Sequence, residues 1–418
     1  MKKCVLLFPG QGSQYVGMGK SIFERNSIAR EVFEEANDIL GFDLKGLCFQ
    51  GEMDELTKTA NTQPAILTAS VASFRVYMQE FGSEPMYLAG HSLGEISALT
   101  CSGALEFADA LKITRKRGEF MQDAVNMGEG AMCAISQANS ELIEEECKKA
   151  QSDGKLVVVS NYNSPDQIVI SGYSQAVEHV ANKLKEAGAR VIPLKVSAPF
   201  HSPLMQEAAD KLKNELGKYK FNEMKYPVIS NVTALPYSGS RDITEYLSHQ
   251  IVEPVRWQAT MNFLEKEGVE LAIELGPKNI LKSLMKKNAP KIKAYSFDDE
   301  KDIKALNEEH MVNGQFGTQL IARCLAVAVC TKNSNWDNEQ YRKGVVEPYR
   351  KIQSLLEEIE KSNRQPAIEE MDSALQMLKS VFATKMTPLD EKLERFEEIF
   401  KLTETSQLFP DFIKDLRG

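Results

Sequence analysis

The pentapeptide Gly90-His91-Ser92-Leu93-Gly94 follows a short apolar stretch, Met86–Ala89, and leads into a helical pattern over Glu95–Ser102. A serine framed by small residues at a strand-to-helix turn has the makings of a nucleophile elbow. The glycines permit the turn, the hydroxyl projects at a helix N-terminus, and the next amide, that of Leu93, faces a developing oxyanion. The chemistry this suits is acyl transfer through an acyl-serine, against the plainer reading of a Gly-Ser turn. A nucleophilic serine needs a base, and the chain offers His91, His179, His201, His249 and His310. His201 stands in Ser197-Ala198-Pro199-Phe200-His201-Ser202-Pro203, between a strand and a helix with Ser202 as its cap and Pro203 at its first position. The positive end of that helix would keep the imidazole neutral. His179 and His310 sit on polar helical stretches and read as solvated, while His249 stays a rival base.

The loop Phe8-Pro9-Gly10-Gln11-Gly12-Ser13-Gln14 has a G-x-G, but Tyr15 stands where a dinucleotide site needs its third glycine. A Gly-flanked amide after a first strand, here that of Gln11, can instead supply a second oxyanion donor. In the helical pattern Phe107–Asp123, Ala110, Ile113, Arg117 and Phe120 share one side, whereas Arg115 and Lys116 point elsewhere and read as solvated. An arginine on an apolar stripe is costly unless an anion meets it. That anion is either an internal carboxylate or the carboxylate of a substrate held in a bidentate clamp.

Positioning these groups calls for more than one ordinary domain, and 418 residues with 43% apolar content provide for it. The first hundred residues alternate strand (Cys4–Phe8, Met86–Ala89) and helix (Ile22–Leu40, Gln63–Gln79), which predicts a mainly parallel sheet of the α/β class. Strands at Ala131–Ile135, Leu156–Ser160, Ile168–Ser171 and Arg190–Val196, with helices at Ser140–Gln151 and Ser174–Ala187, read as an inserted ferredoxin-like subdomain. The α/β pattern resumes with a helix from Pro203, strands at Val228–Asn231 and Leu271–Glu274, and a helix at Gln258–Lys266. Expected boundaries are 1–128 and 197–298 for a hydrolase-like core, 129–196 for the insert and 299–418 for a helical extension. In the extension, Thr387 reads as the cap of a helix whose stripe is Leu389, Leu393, Phe396 and Phe400.

Composition narrows the function classes. With 50 basic against 59 acidic residues the net charge is −9, which disfavours nucleic acid. Seven cysteines without a CxxC argue against a paired-thiolate metal site or a disulfide framework and fit a reducing cytosol. The five-residue apolar run before Pro9 reads as a strand, not a leader, and no run approaches the length of a membrane span.

Taken together, the motifs resemble the malonyl-CoA:acyl-carrier-protein transacylase family, including the discrete acyltransferases that serve modular polyketide synthases. The likeness covers about residues 1–295 and rests on Phe8–Gln14, Thr62-Gln63-Pro64-Ala65, Gly90–Glu95, Arg117-Gly118, Asn161–Pro165, Phe200-His201-Ser202 and Glu274–Pro277. It implies Ser92 as the acylated nucleophile, His201 as its base, backbone donors from Gln11 and Leu93, and Arg117 on the malonyl carboxylate. It also implies that Gln250 orients the histidine through its backbone carbonyl, that Gln63 lines the pocket, and that Phe200 marks malonyl selectivity. The substrate is then malonyl-CoA and the acceptor the phosphopantetheine thiol of an acyl carrier protein. The resemblance further implies no bound cofactor or metal, and the expectation is a cytoplasmic protein that engages neither membrane nor nucleic acid. The extension lies outside the resemblance, reads as a docking or stabilising appendage packed on the body, and tilts the pathway toward polyketide synthesis, where a polyketide synthase would be a partner. The competing functions are fatty acid synthesis by the same reaction, an acyl hydrolase that clears carrier proteins, and an inactive carrier-binding module.

Overall fold

Cys4–Phe8 is apolar at every position, the composition of a strand covered on both faces. In the computed structural model of the chain it lies fully buried at the middle of a parallel sheet. The structure describes residues 3–81, 83–124, 129–194, 196, 198–312, 315–362, 364, 366–403 and 405–417. Among these the strands are β1 (Cys4–Phe8), β2 (Tyr87–Gly90), β3 (Gly130–Ser136), β4 (Val157–Ser164), β5 (Gln167–Tyr173), β6 (Arg190–Pro193), β7 (Val228–Ile229), β8 (Leu271–Glu274) and β9 (Lys293–Ser296). The chain divides into two units, residues 1–303 and 304–418.

In the first unit the main sheet has the order β7-β2-β1-β8-β9, with every pairing parallel. β1 and β2 end together, Phe8 opposite Gly90, so the Gln11 loop and the Ser92 turn leave the sheet side by side at its C-terminal edge. That edge is where open α/β sheets place their sites. The second sheet is antiparallel with the order β4-β5-β3-β6, and with its two helices, Ser140–Ser152 and Ser174–Glu186, it has the βαββαβ arrangement of a ferredoxin-like unit. Asn161 of β4 bridges Val255, which ties this sheet to the segment carrying Gln250.

Several elements depart from expectation. The helix expected over Ile22–Leu40 is two, Lys20–Arg25 and Ser27–Leu40, because Asn26 takes an extended conformation. β9 was missed because Lys293-Ala294-Tyr295-Ser296 is too short and mixed to signal a strand. The first unit runs to Ile303 and not 298, since Asp302 accepts from the Ser296 amide at 2.8 Å and pairs with Lys282.

The second unit is helical: Gln315–Cys330, Glu347–Lys361, Ile368–Thr384 and Leu389–Thr403 are its long helices. It has its own apolar core, including Leu320, Cys324, Leu378, Phe382, Phe396 and Phe400. The stripe expected to pack on the body is thus buried inside this unit, and it runs Phe396, Ile399, Phe400 and Thr403, with Leu389 about half exposed. Thr387 does not cap: its hydroxyl is buried without a hydrogen-bond partner. Lys385 is buried instead, and its ammonium donates to the carbonyls of Ala328 and Thr331 at 2.8 Å each, closing the C-terminus of the helix Gln315–Cys330. Among the described residues no helix is long and apolar enough to cross a membrane, and no group of three or more His, Cys, Asp or Glu could hold a metal ion.

Candidate active site

The turn between β2 and the helix Leu93–Cys101 is too tight for side chains at its ends. A Cβ on Gly90 would lie 1.9 Å from the Gly94 carbonyl carbon, and one on Gly94 would lie 2.0 Å from the Phe8 carbonyl oxygen. Ser92 at the apex takes φ 52°, ψ −108°, a strained conformation that recurs at functional sites. Asn231, just beyond β7, holds the turn from both sides. Its Oδ1 accepts from the Ser92 amide at 2.7 Å and its Nδ2 donates to the Gly90 carbonyl at 2.7 Å.

Ser92 Oγ lies 2.8 Å from His201 Nε2. The other ring nitrogen, Nδ1, lies 2.6 Å from the Gln250 carbonyl, which can only accept, so Nδ1 carries the proton and Nε2 faces the serine as an acceptor. His201 is buried, and its pKa is pushed down to about 3, first by desolvation and then by the Arg117 cation. The neutrality expected from a helix terminus thus comes chiefly from burial. Ser202 is not a side-chain cap either, since its hydroxyl donates to the Pro199 carbonyl at 2.6 Å.

Arg117 reaches the serine from the helix Phe107–Asp123. Gly118 lets that helix close on the start of the helix Thr59–Glu80, where a Cβ would come within 2.6 Å of the Thr59 carbonyl oxygen. The guanidinium is 1% exposed. It donates to Gln63 Oε1 at 2.8 Å, Gln250 Oε1 at 2.8 Å and Ser92 Oγ at 3.3 Å, while Nε has no partner. Burial lowers its pKa to about 10, opposed by the Glu95 carboxylate, so it remains a cation near neutrality. Its partners are amide and hydroxyl oxygens, which leaves the cation available to an incoming anion. Arg115, expected to be solvated, is half buried and donates to the Ala60 carbonyl at 3.1 Å and to Glu119 at 2.9 Å.

Ser92, His201, Arg117, Gln63 and Gln250 therefore form one connected cluster. Leu93 opens the helix after the serine, where amides have no partner within the helix. The Gln11 loop abuts the elbow, since a Cβ on Gly10 would lie 2.4 Å from the His91 carbonyl oxygen, and Gln11 Nε2 donates to Thr59 Oγ1 at 3.3 Å. Phe200 is buried beside His201 in sequence. His249, the rival base, is nearly half exposed and 3.9 Å from Glu253, whereas the ring within reach of Ser92 is that of His201. Two residues were missed. Asn231 reads in the sequence only as the end of a strand and Glu95 only as part of the Gly90–Glu95 motif and its helix, yet Glu95 is fully buried and accepts from Gln250 Nε2 at 2.6 Å, Tyr237 Oη at 2.5 Å and the Asn231 amide at 3.1 Å.

Residues 5–303 match the acyl transferase domain family. A malonyl CoA-acyl carrier protein transacylase of Bacillus subtilis is 40% identical over 398 residues, spanning 94% of this chain and 99% of that protein, so the likeness extends into the C-terminal unit. Another of the same name, from Bacillus subtilis strain 168, is 46% identical over 315 residues, 74% of this chain and 99% of the relative. A solved complex of a type II PKS acyl-carrier protein with its malonyl-transacylase aligns at TM-score 0.71 and 40% identity over 73% of this chain and 99% of that one. With the elbow, the imidazole and the buried arginine in one cluster, the chain belongs to the malonyl-CoA:acyl-carrier-protein transacylase family and is an acyltransferase.

Proposed function

We propose that this enzyme moves a malonyl group from malonyl-CoA to the phosphopantetheine thiol of an acyl carrier protein through malonyl-Ser92. The observation that carries the reading is the Arg117 guanidinium, buried 3.3 Å from Ser92 Oγ with only neutral oxygens as partners. A buried cation beside the reacting hydroxyl suits an acyl group with a free carboxylate. An acyl hydrolase has no need of it, and an inactive binding module has no need of the Ser92–His201 contact.

In the first half-reaction His201 Nε2 takes the Ser92 proton as Oγ attacks the thioester carbonyl. The amides of Gln11 and Leu93 receive the oxyanion. The tetrahedral adduct collapses by breaking the carbon–sulfur bond, and the departing CoA sulfur takes the proton from His201. In the second, the carrier thiol gives its proton to His201 and attacks the ester; collapse breaks the bond to Ser92 Oγ, which recovers the proton. One site serves acyl donor and acyl acceptor in turn, so the kinetics are ping-pong. Gln250 orients the imidazole through its carbonyl, Gln63 helps hold the guanidinium, and Phe200 limits the space beside the acyl group. All the groups moving protons belong to this chain or its substrates, and no bound cofactor enters the scheme.

For the pathway, we favour a carrier protein of polyketide synthesis over one of fatty acid synthesis. The support is the C-terminal unit, since one relative matches 94% of this chain and another only 74%, together with the polyketide complex among the solved neighbours. Intact-mass analysis after incubation with malonyl-CoA tests the reaction. One malonyl group should map to Ser92 and be absent in Ser92→Ala; label elsewhere would refute the assignment. Transfer rates to a polyketide and a fatty acid carrier protein then decide the pathway.

A further inference from the structure

Arg117 and Glu95 are both buried, and each bonds to a different atom of one amide. Gln250 Oε1 accepts from Arg117 Nη2 at 2.8 Å, while Gln250 Nε2 donates to Glu95 Oε2 at 2.6 Å and to the Ser92 carbonyl at 3.0 Å. A primary amide fits such a place in two orientations related by a half-turn. An ionised carboxylate only accepts and a guanidinium only donates, so these neighbours permit one of them. The reversed amide would set its NH2 group against Arg117 and its oxygen against the carboxylate.

We propose that Glu95 is a positioning residue for recognition of the malonyl carboxylate: by accepting from Gln250 it turns the amide oxygen toward Arg117 and holds the guanidinium beside Ser92. This rests on the malonyl-Ser92 reading above. The carboxylate is built into its place, held by Tyr237 Oη and the Asn231 amide as well as by Gln250, with no exposure to solvent. Keeping a carboxylate there is costly, since desolvation raises its pKa to about 7. A role limited to the first turn of the helix Leu93–Cys101 needs no contact with Gln250 at all.

Glu95→Gln tests this, because the new side chain places an NH2 group among three donors and removes the shorter of the two contacts that hold Gln250 Nε2, leaving the Ser92 carbonyl at 3.0 Å. The readout is kcat/KM for acylation by malonyl-CoA and by acetyl-CoA, followed as CoA release, with intact mass reporting what occupies Ser92. The malonyl-over-acetyl ratio should fall by roughly tenfold to a hundredfold, mainly through KM for malonyl-CoA, the upper figure being the scale of a misplacement of about 1 Å. Equal losses for both substrates would make Glu95 merely structural and overturn the proposal. Should Glu95→Gln not fold, Gln250→Met interrupts the same relay from its other side while keeping the backbone carbonyl on His201, and a preserved ratio there overturns the proposal as well. Wild-type enzyme that carries no malonyl-Ser92 overturns both readings together; malonyl-Ser92 with an unmoved ratio in the variants overturns only this one.

Discussion

Arg115 supplies the hydrogen bond that Pro64 removes. Pro64 lies inside the helix Thr59–Glu80, where its ring nitrogen has no proton for the carbonyl of Ala60 four residues back. Arg115 Nη1, from the helix Phe107–Asp123, donates to that carbonyl at 3.1 Å and also reaches Asn61 Oδ1. Gln63 directly precedes Pro64 and Arg117 lies two residues beyond Arg115, and these two are themselves bonded at 2.8 Å, so the repair sits where the two helices bring the guanidinium to its place.

Arg115→Ala should therefore destabilise the protein by about 1–3 kcal/mol, the cost of leaving a buried acceptor unmet. In a Pro64→Ala background the helix recovers its own N–H donor, and the same substitution should cost less. Thermal unfolding of the four proteins of this cycle measures the coupling. Equal costs in the two backgrounds would mean that the Ala60 carbonyl is not what Arg115 serves.

His201 should not behave as an ordinary histidine. Its folded pKa is lowered to about 3, so between roughly pH 3 and the usual 6.5 the unfolded chain binds a proton that the folded chain refuses. The stability conferred by this neutral burial is complete above pH 6.5 and declines as pH falls toward 3, by about 1.4 kcal/mol per pH unit. Denaturant unfolding of wild type and His201→Gln across that window should show their difference moving in this direction. In kinetics, a limb near pH 6.5 that survives in Glu95→Gln would show that His201 titrates normally and refute the prediction.

Truncating the clamp should separate substrates. Arg117→Ala removes the cation beside Ser92 and should weaken acylation by malonyl-CoA by about 2–5 kcal/mol in kcat/KM, while acetyl-CoA, without a carboxylate, loses far less. Parallel progress curves with the two thioesters make the comparison. An equal loss would assign Arg117 to packing.

Much of this was legible because it depends on chain-local patterns. Continuous apolarity marked β1, spacings of three and four marked the helix Phe107–Asp123, and glycine at both ends of the Ser92 turn marked the elbow. What escaped depends on contacts made far along the chain. Glu95 meets Gln250 and Tyr237 across more than 140 positions, and Asn231 meets Ser92 across 139. Arg115 looked solvated because two of its partners, the Ala60 carbonyl and Asn61, lie on another helix more than fifty positions back, and a backbone carbonyl carries no residue identity to read.

The separate core of the C-terminal unit bears on what its removal would do. Every buried member of that core lies between Leu320 and Phe412, and Ser92, His201, Arg117, Gln250 and Glu95 all lie in the first unit. A chain ending at Val312, which keeps the whole helix Glu300–Val312, loses no reacting group and opens none of that core's contacts halfway. It should fold and form malonyl-Ser92 at the rate of the full chain, as measured by CoA burst and intact mass. If the unit contributes to carrier recognition, the truncated enzyme's second half-reaction should slow toward its cognate carrier protein but not toward free pantetheine, which has no protein surface to dock. Loss of self-acylation, or aggregation of the shortened chain, would show that the first unit depends on the second for its fold.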